Sequence, residues 1–149
     1  MSFFKKLLIY LLCLACFGTV IPASASASGI ESSPYAGALN ILGVLRGTDK
    51  GFELNRVPTR SEILVMIIRL LGKEQEALEN SYPHPFNDTR WDEPYVSYGY
   101  NHSIVNGMSA TSFGGSRQAS LREYCAMLLR VLGYSESSGD FTFHNSVKF

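Results

Sequence analysis

The sequence has little of what marks several common classes of small protein. Cysteine accounts for only 3 of its 149 residues, and 13 basic side chains balance 13 acidic ones. The balanced charge argues against the basic face that a nucleic-acid-binding protein needs. The three histidines lie in separate segments without metal-ligand spacing, and no nucleophile elbow, phosphate loop or Ser/His/Asp pattern stands out. We therefore predict no enzymatic activity, no cofactor and no bound metal.

Long apolar runs are also scarce, and the clearest one lies at the amino terminus. Two lysines precede the apolar residues 7–21, and the small-residue tract 23–27 follows them. This pattern predicts a secretory signal peptide over residues 1–27, with no membrane contact after cleavage. A retained membrane helix is an alternative, but the run is shorter than the roughly 20 residues that a span needs. Lipid modification at Cys16 is a further alternative.

Disulfides are not expected once the signal peptide is removed. Cys13 and Cys16 leave with it, so Cys125 stays alone and no internal disulfide can form. Cys125 lies in an apolar run, which predicts a small buried hydrophobic side chain rather than a reactive thiol.

The most informative feature that is present is a stretch that occurs twice. Residues 59–72 and 120–133 match at an offset of 61 residues, from Thr59 to Ser120. Each copy opens with Ser/Thr-x-x-Glu before an apolar run, which is the pattern of a helix capping box, and each ends in glycine. The predicted capping pairs are Thr59 with Glu62 and Ser120 with Glu123.

The same parts precede each copy of this stretch in the same order. A Pro-Tyr helix start occurs at Pro34 and at Pro94, and a glycine-containing loop follows each. Helix–loop–helix units of this kind bury their apolar faces by stacking. We predict an all-α fold of repeated helix–loop–helix units packed as a small bundle. The predicted boundaries are a linker at 28–34, unit one at 35–79, unit two at 80–134 and the start of a third unit at 135–149.

These units resemble S-layer homology (SLH) modules, the repeats by which exported bacterial proteins hold the cell wall. The resemblance covers about residues 35–134. Unit one carries Val44-Leu45-x-Gly47, Phe52 and Thr59-Arg60-Ser61-Glu62. Unit two carries Phe86-x-Asp88-x-x-Trp91, Tyr95, Ile104-Val105-x-Gly107, Phe113 and Ser120-x-x-Glu123.

The resemblance implies a pseudo-threefold bundle, incomplete here, whose grooves bind secondary cell-wall polysaccharide bearing pyruvate. An aromatic ring would pack on the sugar, and an arginine would bind the pyruvate carboxylate with paired hydrogen bonds. Arg60 and Trp91 would build one such groove, with a glycine allowing close approach. The implied polysaccharide-binding residues are Arg60, Trp91, Gly107, Arg122 and Asp88.

Each of these residues also has a simpler interpretation. Trp91 suits a core position equally well, and Asp88 suits a turn. The simpler interpretation of Arg60 is a solvated residue at a helix start. Because an arginine in the first turn of a helix opposes the helix dipole, a ligand or a carboxylate partner is favoured instead. Unit two has Leu121 at the arginine position, and Arg122 one residue later is rotated by about 100° around the helix.

The resemblance predicts a secreted protein of the bacterial cell surface. An alternative function is a non-catalytic interaction or scaffold protein that keeps the fold without a working sugar site. Self-association, or another protein of the same family, would then complete the bundle. A truncated gene product is a further alternative.

Overall fold

The computed structural model describes residues 33–148, which form five α-helices and one 3₁₀ helix without any strand in that range. The all-α prediction is confirmed, whereas the pseudo-threefold stacking of units stays a prediction. The predicted signal peptide, residues 1–27, lies outside the described residues. The helices are α1 (Pro34–Ile41), α2 (Arg60–Leu70), α3 (Glu74–Glu79), α4 (Glu93–Asn101), α5 (Leu121–Val131) and the 3₁₀ helix (Phe143–Lys148).

The helices α2 and α5 begin in the same way. The Thr59 hydroxyl accepts the Glu62 N–H at 3.3 Å, and the Glu62 carboxylate accepts the Thr59 N–H at 2.7 Å. Ser120 and Glu123 form the same reciprocal pair at 3.3 and 2.8 Å. Each box satisfies backbone N–H groups that a helix start otherwise leaves without partners.

The helices α2 and α5 also end in the same way. Gly72 and Gly133 follow them with φ of 67° and 92°, a left-handed conformation that glycine adopts without a steric penalty. Helix α4 ends at Asn101, and Ser103, two residues later, has the same left-handed geometry with φ of 56° although it is not a glycine. These residues let the chain reverse direction while its N–H groups bond the last helical carbonyls.

The core of the molecule forms around α2, which packs against α3, α4 and α5. Its inward face contributes Leu64 and Ile68, both fully buried. Burying an aliphatic side chain of this size contributes about 1.5–3 kcal/mol, so this face is a main source of stability. Other fully or almost fully buried apolar residues of this core include Val96, Val105, Phe113 and Met127.

The carboxyl-terminal segment packs against the outer side of α5. Phe141 is buried together with Ala126 and Leu129 in a second, smaller apolar cluster. The Ser146 hydroxyl donates to the Arg122 carbonyl at 3.0 Å, which ties the 3₁₀ helix to the first turn of α5. Cys125, predicted to be buried, is only partly buried.

Candidate functional site

Two grooves of similar size lie on the surface of residues 33–148. Groove 1 lies beside the loop 44–58 and α2, has a volume of about 350 Å³ and includes Trp91 in its lining. Groove 2 lies beside the starts of α2 and α5, has a volume of about 450 Å³ and includes Phe143. Aromatic and arginine side chains line both grooves, so both are candidates for ligand binding.

The two grooves use the same classes of residue at matching positions of the repeated stretches. In each, a glycine, two arginines and the capping glutamate recur at an offset of 60 or 61 residues. Groove 1 has Gly47, Arg56, Glu62 and Arg69 where groove 2 has Gly107, Arg117, Glu123 and Arg130.

Arg60 lies in groove 2, but its guanidinium is already hydrogen-bonded to other groups of the protein. The residue is 5% exposed, and its Nη1 donates to Glu123 at 2.8 Å. Nε and Nη2 donate to the carbonyls of Phe113 and Asn106 at 3.1 and 2.6 Å, and the guanidinium carbon lies 4.8 Å from the Phe113 ring centre. Burial lowers the pKa of Arg60, although the Glu123 charge opposes this. Of the two interpretations of Arg60, the structure shows the carboxylate partner.

The prediction that Arg60 and Trp91 share one groove is wrong. Trp91 lies in groove 1 together with Gly47, whereas Arg60 lies in groove 2 together with Gly107. The reason is the docking of α2, whose first N–H groups bond the next loop: Arg60 N–H donates to the Arg117 carbonyl at 2.9 Å. The Arg60 side chain then bonds Phe113, Asn106 and Glu123, which places it in groove 2.

Asp88, another predicted site residue, has a structural role in the described part of the chain. Asp88 accepts hydrogen bonds from Ser112 Oγ and from the N–H groups of Phe113 and Gly114 at 2.7–2.9 Å. Although desolvation raises the pKa of Asp88, these bonds outweigh it and hold the pKa at about 2. Asp88 therefore organises a turn, as the simpler interpretation proposed, and it lies outside both grooves.

Gly107 and Arg122 differ in their relation to groove 2. Gly107 lines it, and a Cβ there would collide with the Phe86 ring and the Ser109 carbonyl, so packing alone requires glycine. Arg122 lines neither groove, as its displacement by one residue around the helix suggested. Its Nε is buried and has no hydrogen-bond partner among residues 33–148.

Groove 1 combines an exposed aromatic ring with guanidinium groups. Trp91 is 63% exposed, which excludes the core position that sequence allowed. Arg56 holds Glu62 with both arms at 2.7 and 2.6 Å. This pair, with the Thr59 contacts, lowers the pKa of Glu62 to about 2 against the effect of burial. Arg46 and Arg69 both bond Glu74, the latter at 2.8 Å.

The arginines of groove 1 are functional candidates that sequence reasoning missed. Arg46, Arg56 and Arg69 outnumber the two glutamates of its lining, Glu53 and Glu62. The recurrence of Arg56 as Arg117 and of Arg69 as Arg130 in the second copy was the available signal. The arrangement suits an anionic ligand with an apolar face, because cations and an aromatic surface lie in one groove.

Comparison with known proteins gives a consistent set of relatives. The chain is similar to a surface layer protein of Brevibacillus choshinensis, at 29% identity over 145 residues, covering 89% of this chain and 13% of that protein. It is 29% identical over 103 residues to a middle cell wall protein of Brevibacillus brevis, covering 66% of this chain and 10% of that protein. It is 34% identical over 87 residues to an endoglucanase of Bacillus sp. (strain KSM-635), covering 54% of this chain and 9% of that protein.

The chain therefore spans between 9% and 13% of the length of these curated relatives. No protein-family model matches the chain, and no solved structure matches it significantly. Within residues 33–148, no helix is long and apolar enough to cross a membrane, and no group of three or more potential metal ligands occurs.

Proposed function

We propose that this chain is a secreted, non-catalytic cell-wall-binding protein of the S-layer homology type, acting at the bacterial surface. The order of its motifs and its similarity to surface layer and cell wall proteins support this proposal. Its ligand would be secondary cell-wall polysaccharide bearing pyruvate. The similarity to an endoglucanase covers 9% of that protein and carries no argument for hydrolysis.

The observation that carries the proposal is the presence of Trp91 and Arg46 in the lining of groove 1. A sugar ring has apolar C–H faces that pack on an indole, and a pyruvate ketal carries one carboxylate. Charge-assisted hydrogen bonds from a guanidinium to such a carboxylate are short and about twice as strong as neutral ones. Groove 1 therefore offers one surface for each part of this ligand.

Arg46 is the arginine best suited to bind the carboxylate. Its side chain is 55% exposed, and its one hydrogen bond to a side chain of the described residues, from Nη2 to Glu74, leaves the Nη1 and Nε donors for a ligand. Arg56 uses both arms on Glu62, so a ligand would have to displace that carboxylate. We expect Arg56 to contribute positive potential rather than direct contacts.

Groove 2 would be the weaker of the two sites. Two of its arginines, Arg60 and Arg117, already bond Glu123. Its aromatic residue is Phe143, which is smaller than tryptophan and lacks an N–H donor. Arg130 is engaged as well, with Glu136 at 2.5 Å.

The experiment is a co-sedimentation titration with purified pyruvylated wall polymer, using the wild type, W91A and R46A. We expect each variant to bind at least about tenfold more weakly, which corresponds to a loss of about 1.4 kcal/mol. Removal of pyruvate from the polymer should weaken the wild type and leave R46A almost unchanged. Y35A is a matched control, because Tyr35 is exposed and lies outside both grooves.

Two results would count against the proposal. Equal binding by the wild type, W91A and R46A would remove groove 1 as the site. Equal binding of the wild type to polymer with and without pyruvate would remove the carboxylate from the recognition chemistry, because Arg46 would then have no anion to bind.

A further inference from the structure

The first turns of α2 and α5 match in sequence but differ in what packs against them. In α2, the N–H groups of Arg60 and Ser61 donate to the carbonyls of Arg117 and Gly115 at 2.9 and 3.1 Å. Arg60 Nε donates to a third carbonyl of the same loop, that of Phe113. The carbonyls of three alternate residues in the loop 113–117 thus accept hydrogen bonds from the start of α2, and this contact is the buried junction.

The matching turn of α5 has no such loop against it. Leu121 stands at the position of Arg60 and is 70% exposed, although it is a large apolar side chain. Within residues 33–148, the N–H groups of Leu121 and Arg122 donate to no carbonyl. The buried Nε of Arg122 is also without a partner there.

The matching loop of the first repeated stretch has no helix start against it. Phe52, Leu54 and Arg56 correspond to Phe113, Gly115 and Arg117, each at an offset of 61 residues. Within the described residues, the carbonyls of Phe52, Leu54 and Arg56 accept no hydrogen bond. In the part of the chain that the structure describes, the start of α5 and the loop 52–57 are therefore both open, although they match the two halves of one buried junction.

We propose that the α5 turn at 120–122 of one copy of this chain docks on the loop 52–57 of a second copy, in a head-to-tail contact. Leu121 would lie on the Phe52 ring as the Arg60 guanidinium lies on the Phe113 ring. Because Arg60 forms part of groove 2, the docked Leu121 would form part of groove 1 of the second copy. The contact does not depend on polysaccharide binding.

The charges of the two faces fit an incoming leucine. In the buried junction, the Glu123 carboxylate forms an ion pair with Arg60 at the start of α2. In the open loop, Arg56 already neutralises Glu62 with two hydrogen bonds, so no arginine is required from outside. An apolar side chain can therefore dock there without leaving a carboxylate unpaired.

The proposed contact between copies differs from the buried junction at two positions. The Ala119 N–H donates to the Pro58 carbonyl at 3.0 Å, and the matching donor of the open loop would be Pro58, which has no N–H. Leu54 stands at the position of Gly115, where even a Cβ would collide with Ser61, the counterpart of Arg122, so the docked α5 turn has to lie farther from the loop than the α2 start does. The contact between copies should therefore be weaker than the one within the chain.

A head-to-tail contact leaves one free face at each end of an assembly, so it extends or closes into a ring. We would measure the mass of the full chain by sedimentation velocity over a range of concentrations. The wild type should form assemblies whose mass rises with concentration. L121D should dissociate at least tenfold more readily, because aspartate replaces the apolar contact and faces Glu62. L78D is the matched control, since Leu78 is an exposed leucine of α3.

A second variant tests the other face of the contact. V57D places a charge on the loop, because Val57 matches Gln118, which pairs with Thr59 in the buried junction. V57D alone should also dissociate at least tenfold more readily. An equimolar mixture of L121D and V57D should form a dimer, because each variant keeps the face that the other has lost.

Three outcomes would overturn the proposal: a wild type that is monomeric at every concentration, L121D and V57D that both assemble as the wild type does, or a mixture that stays monomeric. Amide hydrogen exchange gives an independent measurement. The Leu121 and Arg122 amides of the wild type should exchange more slowly as concentration rises, while the Leu78 amide should not change.

Discussion

The guanidinium of Arg60 and the carboxylate of Glu123 form an ion pair of 2.8 Å, with side chains only 6% and 5% exposed. The two residues are 63 positions apart in the sequence. Glu123 also accepts hydrogen bonds from Ser120, so one carboxylate caps α5 and holds the start of α2. Loss of either partner would disturb both helix starts.

Arg60→Ala should destabilise the protein by about 3–5 kcal/mol, because it leaves the carboxylate of Glu123 buried with fewer partners. Arg56→Ala should cost no more than about 1 kcal/mol, since that arginine and Glu62 are both more exposed. Urea unfolding of both variants measures the difference. Similar losses for the two would show that burial does not set the strength of these pairs.

Gly115→Ala should reduce the free energy of unfolding by about 1–3 kcal/mol, because the added Cβ would collide with Ser61 Oγ and the Asp92 carboxylate. Gly37→Ala is the control: no atom outside its own helix lies within 4 Å of the place that its added Cβ would take. Thermal unfolding should show a clear loss for the first and no loss for the second. If Gly115→Ala melts as the wild type does, Ser61 and Asp92 can move away from an added Cβ without loss of stability.

Glu62→Gln should lose stability at neutral pH and become similar to the wild type in acid. The Arg56 and Thr59 contacts lower the pKa of Glu62 from 4.5 to about 2. A lowered pKa means that the carboxylate stabilises the folded state above about pH 4.5 and loses this effect as the pH falls towards 2. Unfolding free energies at several pH values measure the gap, which should be constant above pH 5 and close towards pH 2. A gap that persists at pH 2 would contradict the assigned contacts.

Asp88→Ala should loosen the turn before Phe113 without affecting the grooves. It removes the acceptor of three hydrogen bonds, two of them from the backbone N–H groups of Phe113 and Gly114. We expect a loss of about 1–3 kcal/mol, because the Phe113 N–H is then left without its partner. Faster amide exchange at Phe113 and Gly114, with unchanged polymer binding, is the expected result. Weaker polymer binding at unchanged stability would instead return Asp88 to the binding site.

The local features of the helices could be predicted because their causes lie within a few residues of each other. A capping box joins residues three positions apart, so Thr59 with Glu62 and Ser120 with Glu123 are legible as patterns. The closing glycines follow from the same local geometry. The residues that share a groove could not be predicted in this way, because Trp91 and Arg46 line one groove although they are 45 positions apart in the chain.

Arg60 shows why a motif position does not assign a role. Its place in the motif suggested a ligand-binding arginine, and its place against the helix dipole suggested some anionic partner. Only the docking of α2 on the loop after Phe113 supplies Glu123 as that partner. Two of the three arginines that line the groove of Trp91, Arg56 and Arg69, could have been found from their recurrence at Arg117 and Arg130, whereas Arg46 left no such signal because Asn106 stands at its matching position.

The sequence by itself determined the two helices α2 and α5, their capped starts, their left-handed ends and the repetition of these parts, because each depends on contacts between neighbours along the chain. The tertiary structure decided which arginine is buried, which aromatic is exposed and which residues share a groove. Those outcomes depend on how one helix start meets a distant loop, where desolvation and hydrogen bonds to backbone carbonyls decide the position of each charge.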